Sequence, residues 1–375
     1  MLPDILDLDA QATSPLRPEA LAAMLPWLEG RHWNPHSAHR GGRLAKAALE
    51  TGRARVAARL GRPPKGLIFT SGATESNNLA LKGVMELAPD QRLLTFATEH
   101  SCVLESARHL ERLGVAITIL PVQPDGLPDR AAYAAALAAG DVALVSAMWV
   151  NNEVGSIWPI AELASEAHAA GALFHTDAAQ AFGKLELSAA DVDLISLSAH
   201  KIGGPKGIGA LWVKPGTPLA PLLDGGGQES GLRSGTQSPA LAAGFAAAAD
   251  LADPAINLPA AHALMDIALA ALAEVPHSIN GPDPLGANRW PGNLSVTFSG
   301  IDASRLISAL PNIALSSGSA CSSGSGKSSH VLAALGLPTP RARQTLRLGW
   351  QPSTPPAMLT EAIHRIAAAA KGLQR

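Results

Sequence analysis

Cysteine is almost missing from this chain: Cys102 and Cys321 are the only two in 375 residues. That is too few for a disulfide scaffold or a thiolate metal site, and a lone thiol stays available in a reducing compartment, so the expected location is the cytoplasm. Charge of one sign is also missing. Lys and Arg number 29 against 31 Asp and Glu, a net of −2, which leaves no basic field for direct nucleic-acid binding and no charged tail. Apolar runs such as Ala240 to Ala249 are alanine-rich and too short to span a bilayer, and Met1-Leu2-Pro3-Asp4 does not begin a basic segment with an apolar core behind it. No membrane association is expected. What is present is 47% hydrophobic residues, ample for a globular protein of one large or two medium domains.

From about Gly66 to Val213 short apolar runs alternate with helical patterns. Strands are expected near Leu67–Thr70, Leu93–Ala97, Ala116–Leu120, Val142–Trp149, Ala172–Thr176 and Leu194–Ser198, with helices from Asn77, from Val103 and over Ile160–Ala170. Such alternation predicts an α/β fold with a mainly parallel sheet covered on both faces. Ligands of these sheets lie beyond the carboxyl ends of the strands, where Gly72, His100, Asn151, Asp177 and Lys201 all fall.

Three of those strand ends carry complementary chemistry. Ser198-Ala199-His200-Lys201 sets a lysine at the end of an apolar strand, before a glycine turn, as an amine would be presented to an aldehyde cofactor. Alone it reads as a solvated surface lysine. Asp177 ends another strand and suits the pyridine nitrogen of pyridoxal phosphate, although aspartate is equally a helix cap. Ser71-Gly72-Ala73-Thr74 joins a strand to a helix start, where free backbone N–H groups bind phosphate.

At this point the chain resembles a known family. Thr70-Ser71-Gly72-Ala73-Thr74-Glu75-Ser76-Asn77, Thr98-Glu99-His100, Val150-Asn151-Asn152-Glu153-Val154-Gly155, Ser198-Ala199-His200-Lys201, Gly225-Gly226-Gly227-Gln228-Glu229 with Arg233-Ser234-Gly235-Thr236, and Ser316-Ser317-Gly318-Ser319-Ala320-Cys321 are similar, in order, to the cysteine desulfurases of the NifS/IscS branch. The resemblance implies a fold-type I pyridoxal-phosphate transferase. Its large domain, residues 16–256, would hold a seven-stranded sheet between helices. A smaller α+β domain would comprise residues 1–15 and 257–375.

The resemblance also implies roles. Lys201 would carry the cofactor as a Schiff base and shuttle the substrate's α-proton, Asp177 would face the ring nitrogen, Gln180 would bond the phenolic oxygen, and His100 would stack on the ring. Ala73, Thr74, Ser198 and His200 would hold the phosphate, with Thr236 reaching in from the second subunit of a homodimer. Arg347 would bind the α-carboxylate of L-cysteine, supported by Asn151, and Asn34 and His39 belong to a substrate loop. Histidines 32, 36 and 39 are not a zinc cluster, because Pro35 interrupts them and no acidic ligand adjoins.

Cys321 stands among serines and glycines in what reads as a mobile loop. As a thiolate it would take sulfur from cysteine, leave alanine, and pass the persulfide to a sulfur acceptor or iron–sulfur scaffold protein, ligating a transient [2Fe-2S] cluster on the way. Cys102 reads as inert packing. A selenocysteine lyase is the nearest rival, a class V aminotransferase has no need of Cys321, and a non-catalytic scaffold would not keep every chemical residue. The run Gly324-Ser325-Gly326-Lys327-Ser328 has Cys321 where a nucleotide P-loop needs glycine. Trp149, Gly203 and Ser230 depart from the family pattern.

Overall fold

Residues 5–188, 190–318 and 329–373 are described by the computed structural model. Seven short apolar runs form one sheet: β1 (Leu67–Thr70), β2 (Arg92–Phe96), β3 (Ala116–Leu120), β4 (Val142–Ser146), β5 (Leu173–Asp177), β6 (Leu194–Ser198) and β7 (Gly209–Val213). Their order is β1-β7-β6-β5-β4-β2-β3. All pairs are parallel except those of β7, which runs antiparallel to both β1 and β6.

The period-2 alternation of a strand sends successive residues to opposite faces. Ile68, Leu93, Leu144, Leu194 and Leu211 pack on one face with α2 (Ala73–Leu87) and α3 (Ser101–Arg112). Their neighbours Phe69, Leu94, Val145, Ile195 and Ala210 pack on the other with α1 (Arg40–Leu60), α4 (Ile160–Ala169) and α5 (Pro239–Asp250). The runs lack polar alternation because both faces are covered. α2 starts at Ala73, four residues before the start read from the sequence, since Gly72 already serves as its N-cap.

A second core forms around the antiparallel sheet β8 (Ser278–Asn280), β9 (Asn293–Thr297) and β10 (Thr345–Gly349), ordered β10-β9-β8. It gathers Leu294, Val296, Leu346 and Leu348 with α6 (Pro254–Leu272), α7 (Pro356–Leu373) and Leu8 from the N-terminal end. Leu6–Asp7 pairs in parallel with Ile313–Ala314. Val331, Leu332, Leu335 and Ala342 pack with the larger core instead. α6 is long and apolar enough to cross a membrane, beyond the apolar lengths read from the sequence, and its Leu264, Met265, Ala268 and Leu272 are buried in the second core.

Candidate active site

The carboxyl ends of β1, β5 and β6, with the turn after β2, open onto a pocket of about 460 Å³. Ala73, Thr74, His100, Asp177, Gln180, Ser198, His200, Lys201 and Arg347 all line it. β7 brings two of these ends together. A Cβ on Gly209 would stand 2.7 Å from Gly72 Cα, so glycine there lets the β7 backbone close against the turn that starts α2.

Asp177 receives hydrogen bonds on both oxygens. Ala179 N–H donates to Oδ1 at 2.9 Å and Asn77 Nδ2, from α2, donates to Oδ2 at 2.7 Å. Asp177 is therefore a buried acid facing the pocket that also closes a local turn; no helix stands between β5 and β6 among the described residues, so the helix-cap reading does not hold. Lys201 Nζ donates to Ala12 O at 2.8 Å and to Gln11 O. Gln180 Nε2 donates to the same Gln11 carbonyl at 2.9 Å, and its Oε1 accepts from Lys184 Nζ at 3.1 Å. Burial, reinforced by the nearby Lys201 charge, pushes the Lys184 amine down to about 7.

One corner of the pocket fits a phosphate dianion. The Ser198 hydroxyl is buried and without a partner, and the first turn of α2 presents Ala73 and Thr74 at the positive end of its dipole. His200 is pushed down to about 4, by burial first and then by the charges of Lys201, Lys206 and Lys184. A cluster whose positive charges repel one another in this way has use for an anion. With Asp177 and Lys201, the set suits pyridoxal phosphate.

His100 is the N-cap of α3, its Nδ1 accepting the Cys102 N–H at 3.2 Å. Burial lowers its basicity; Asp177 acts against that, and Lys201 and His330 act with it. Glu99 beside it is fully buried, which lifts its carboxyl well above the ordinary range, and its Oε1 accepts from Met148 N–H at 2.6 Å. Arg347, on β10, is 2% exposed. Its Nη2 meets Asp9 Oδ1 at 2.7 Å, its Nη1 donates to Asn152 O at 3.3 Å, and its Nε has no partner. One edge of a planar fork thus remains for a carboxylate.

Four expected residues are not brought to this pocket. Asn151 is 1% exposed and its amide is fully occupied, Nδ2 donating to Thr98 O at 3.0 Å and Oδ1 accepting from the Glu153 and Val154 N–H groups; it builds the turn while Asn152 lines the wall. Asn34 Oδ1 accepts from His36 N–H, and His39 caps α1 by accepting from Gly42 N–H at 3.1 Å. Thr236, expected in the pocket of a second subunit, is exposed and lines no wall of the pocket of its own chain. Cys321 lies outside the described residues. The described residues nearest it in sequence on either side meet at Glu153, whose Oε2 accepts from Ser329 Oγ at 2.5 Å and would lie 3.3 Å from a Cβ on Gly318. Ser316 O accepts from the Arg347 N–H at 2.6 Å.

Sequence reasoning missed Asp9, Gln11, Ala12, Asn77 and Cys102. Asp9 to Ala12 come from the opposite end of the chain and touch the site mostly through backbone atoms, which leave no signature in residue type. Asn77 had a detectable signal, since it stands one helical turn beyond Ala73 and Thr74 on the same face of α2.

The model of the aminotransferase class-V family matches residues 7–350. A mitochondrial cysteine desulfurase of Arthroderma benhamiae is 45% identical over 354 residues, 91% of this chain and 70% of that protein. The cysteine desulfurase IscS of Rickettsia bellii is 41% identical over 355 residues, 91% of this chain and 85% of its own. Among solved structures, a NifS-like protein superposes with a TM-score of 0.89 at 32% identity, covering 97% of this chain and 98% of the other.

Proposed function

This chain belongs to the aminotransferase class-V family, and from that premise we propose that the pocket takes sulfur from L-cysteine in the manner of its relatives. The protein is a pyridoxal-phosphate-dependent cysteine desulfurase that releases L-alanine. The observation that carries this reading is the meeting of Asp177, Lys201 and the partnerless Ser198 hydroxyl in one pocket with the open edge of Arg347.

Ala73, Thr74, Ser198 and His200 would hold the cofactor's phosphate, Asp177 its ring nitrogen and Lys201 its aldehyde carbon. Bound there, the cofactor supplies an electron sink that weakens the α-C–H and β-C–S bonds of cysteine. Arg347 holds the substrate carboxylate, which orients the amino acid along the pocket. Lys201 Nζ takes and returns the α-proton. The Cys321 thiolate attacks the substrate sulfur, so that an S–S bond forms as the C–S bond breaks; the electron pair stays with the carbon fragment, which takes up protons and leaves as alanine. Sulfur is left on Cys321 as a persulfide.

The reading extends to partners. Thr236, exposed on its own chain, completes the phosphate site of a second copy in a homodimer. The persulfide passes to a sulfur acceptor or iron–sulfur scaffold protein in the reducing cytoplasm, and Cys321 serves as a transient ligand to a [2Fe-2S] cluster in that complex. An acceptor complex that binds the cluster equally well with Cys321→Ser would remove the last of these.

The test is to incubate the purified protein with L-cysteine and a reductant and to quantify alanine and sulfide. Wild type makes alanine, and Lys201→Ala and Cys321→Ala do not. A Cys321→Ala variant that keeps activity on selenocysteine, beside a wild type that ignores cysteine, would replace the desulfurase with a selenocysteine lyase.

A further inference from the structure

The hydrogen bonds behind His100 run in one direction, and they start at Asp177. A carboxylate only accepts, so the amide nitrogen of Asn77 is the atom that faces Asp177 Oδ2 at 2.7 Å. The second hydrogen of that nitrogen goes to Cys102 Sγ at 3.1 Å, and Asn77 Oδ1 is left without a partner. The sulfur therefore receives from Asn77 and has its own hydrogen to give. His100 Nδ1 lies 3.0 Å from it. The same Nδ1 already accepts the Cys102 backbone N–H at 3.2 Å.

Two donors on one ring nitrogen leave no room for a proton there. We infer that Asn77 and Cys102 are positioning residues that hold His100 neutral with its single proton on Nε2, so that this ring is a hydrogen-bond donor in the site and Lys201 alone remains to take the substrate's α-proton. The inference rests on the desulfurase reading for its last clause only. Burial, with Asp177 nearby, pushes the Cys102 thiol up to about 12, and the Thr74 side chain also engages it; Cys102 stays a thiol, able to donate, across the working range. This is a different use of the residue from inert packing.

The groups that face His100 come from several elements. Asp177 ends β5, Lys201 follows β6, His330 begins the helix His330–Ala334, and Asn77 and Cys102 lie on α2 and α3. Deleting the thiol removes a donor that favours the neutral ring, and so makes His100 easier to protonate.

The experiment is two-bond 1H–15N correlation spectroscopy of protein labelled with 15N-histidine, with and without cofactor, the His100 signals being assigned by their loss in His100→Gln. Wild type should show the Nε2-protonated tautomer. In Cys102→Ala the His100 midpoint should move to higher pH, and Cys102→Ser, which keeps a donor at the same place, should bring it back. An Nδ1-protonated ring in wild type, or one midpoint shared by wild type and Cys102→Ala, overturns the inference. If Cys102→Ala does not fold, the wild-type tautomer and the Ser variant still decide it. Alanine production measured on the same samples separates the two claims, because a protein inactive on cysteine yet showing the expected tautomer refutes only the desulfurase reading.

Discussion

Replacing Arg347 by methionine removes the one group in the pocket shaped for a carboxylate. The residue is 2% exposed, with Asp9 on Nη2 and Nε unpartnered. Losing one partner of a buried, hydrogen-bonded charge pair costs ~2–5 kcal/mol, which corresponds to about 30- to 5000-fold in kcat/KM. Because the carboxylate is held alike before and during the reaction, most of that loss should fall on KM. The assay is alanine formation from L-cysteine, compared with product formation from L-cysteine methyl ester, whose carboxyl is uncharged. Wild type should prefer the acid strongly, and Arg347→Met should lose nearly all of that preference. Arg347→Lys should fall between, keeping the charge but not the fork. Equal losses on the acid and the ester would refute the reasoning, and would make Arg347 only the structural partner of Asp9.

His175 is held between Ser146 and Ser196, each hydroxyl 2.9 Å from a ring nitrogen, and burial pushes it down to about 3. The unfolded chain takes up this proton near pH ~6.5 and the folded chain does not, so stability falls as pH drops from there toward 3, at up to about 1.4 kcal/mol per unit. Denaturant melts should show a shallower acid loss for His175→Gln, and equal slopes would sink the point. Arg53 and Glu229 form a buried two-bond pair at 2.6 and 3.1 Å. Arg53→Met strands the Glu229 carboxylate and should cost ~3–5 kcal/mol in unfolding experiments; a change below ~1 kcal/mol would mean that water reaches it. Ser198→Ala should weaken cofactor binding by ~1.5–3 kcal/mol, the value of a hydrogen bond to a charged group, read by fluorescence titration of the cofactor-free protein. Unchanged affinity would place the phosphate elsewhere.

Much of this architecture was legible because each β-strand of the large sheet is a short apolar run with a glycine or polar stop, and the functional groups stand at those stops. Ala116–Leu120 and Leu194–Ser198 agree with the structure to the residue. β7 (Gly209–Val213) is not among the strands expected from the sequence, and nothing in its composition tells that it runs against its neighbours. Lys201, Asp177, His100 and Arg347 meet in one pocket, since each lies on a strand or within a few residues beyond its end. Asn151 did not, because a buried amide beside free backbone N–H groups satisfies them before it can face a pocket. Asn34 and His39 are drawn into local caps by the same demand.

The contacts of residues 6–12 set an order of events during synthesis. Leu6 N–H bonds to Asn312 O, Leu8 O accepts from Gly349 N–H, and Asp9 pairs with Arg347, 338 positions away. The carbonyls of Gln11 and Ala12 hold Lys201. Residues 6–12 leave the ribosome long before residues 312–349 and must therefore wait for them before either is in place. The large sheet can assemble while translation continues, but the Gln11 and Ala12 carbonyls are set against its lysine only after β10 has emerged. Cofactor capture in the native geometry belongs to the finished chain, and a nascent chain stalled before residue 345 should hold the ring only loosely.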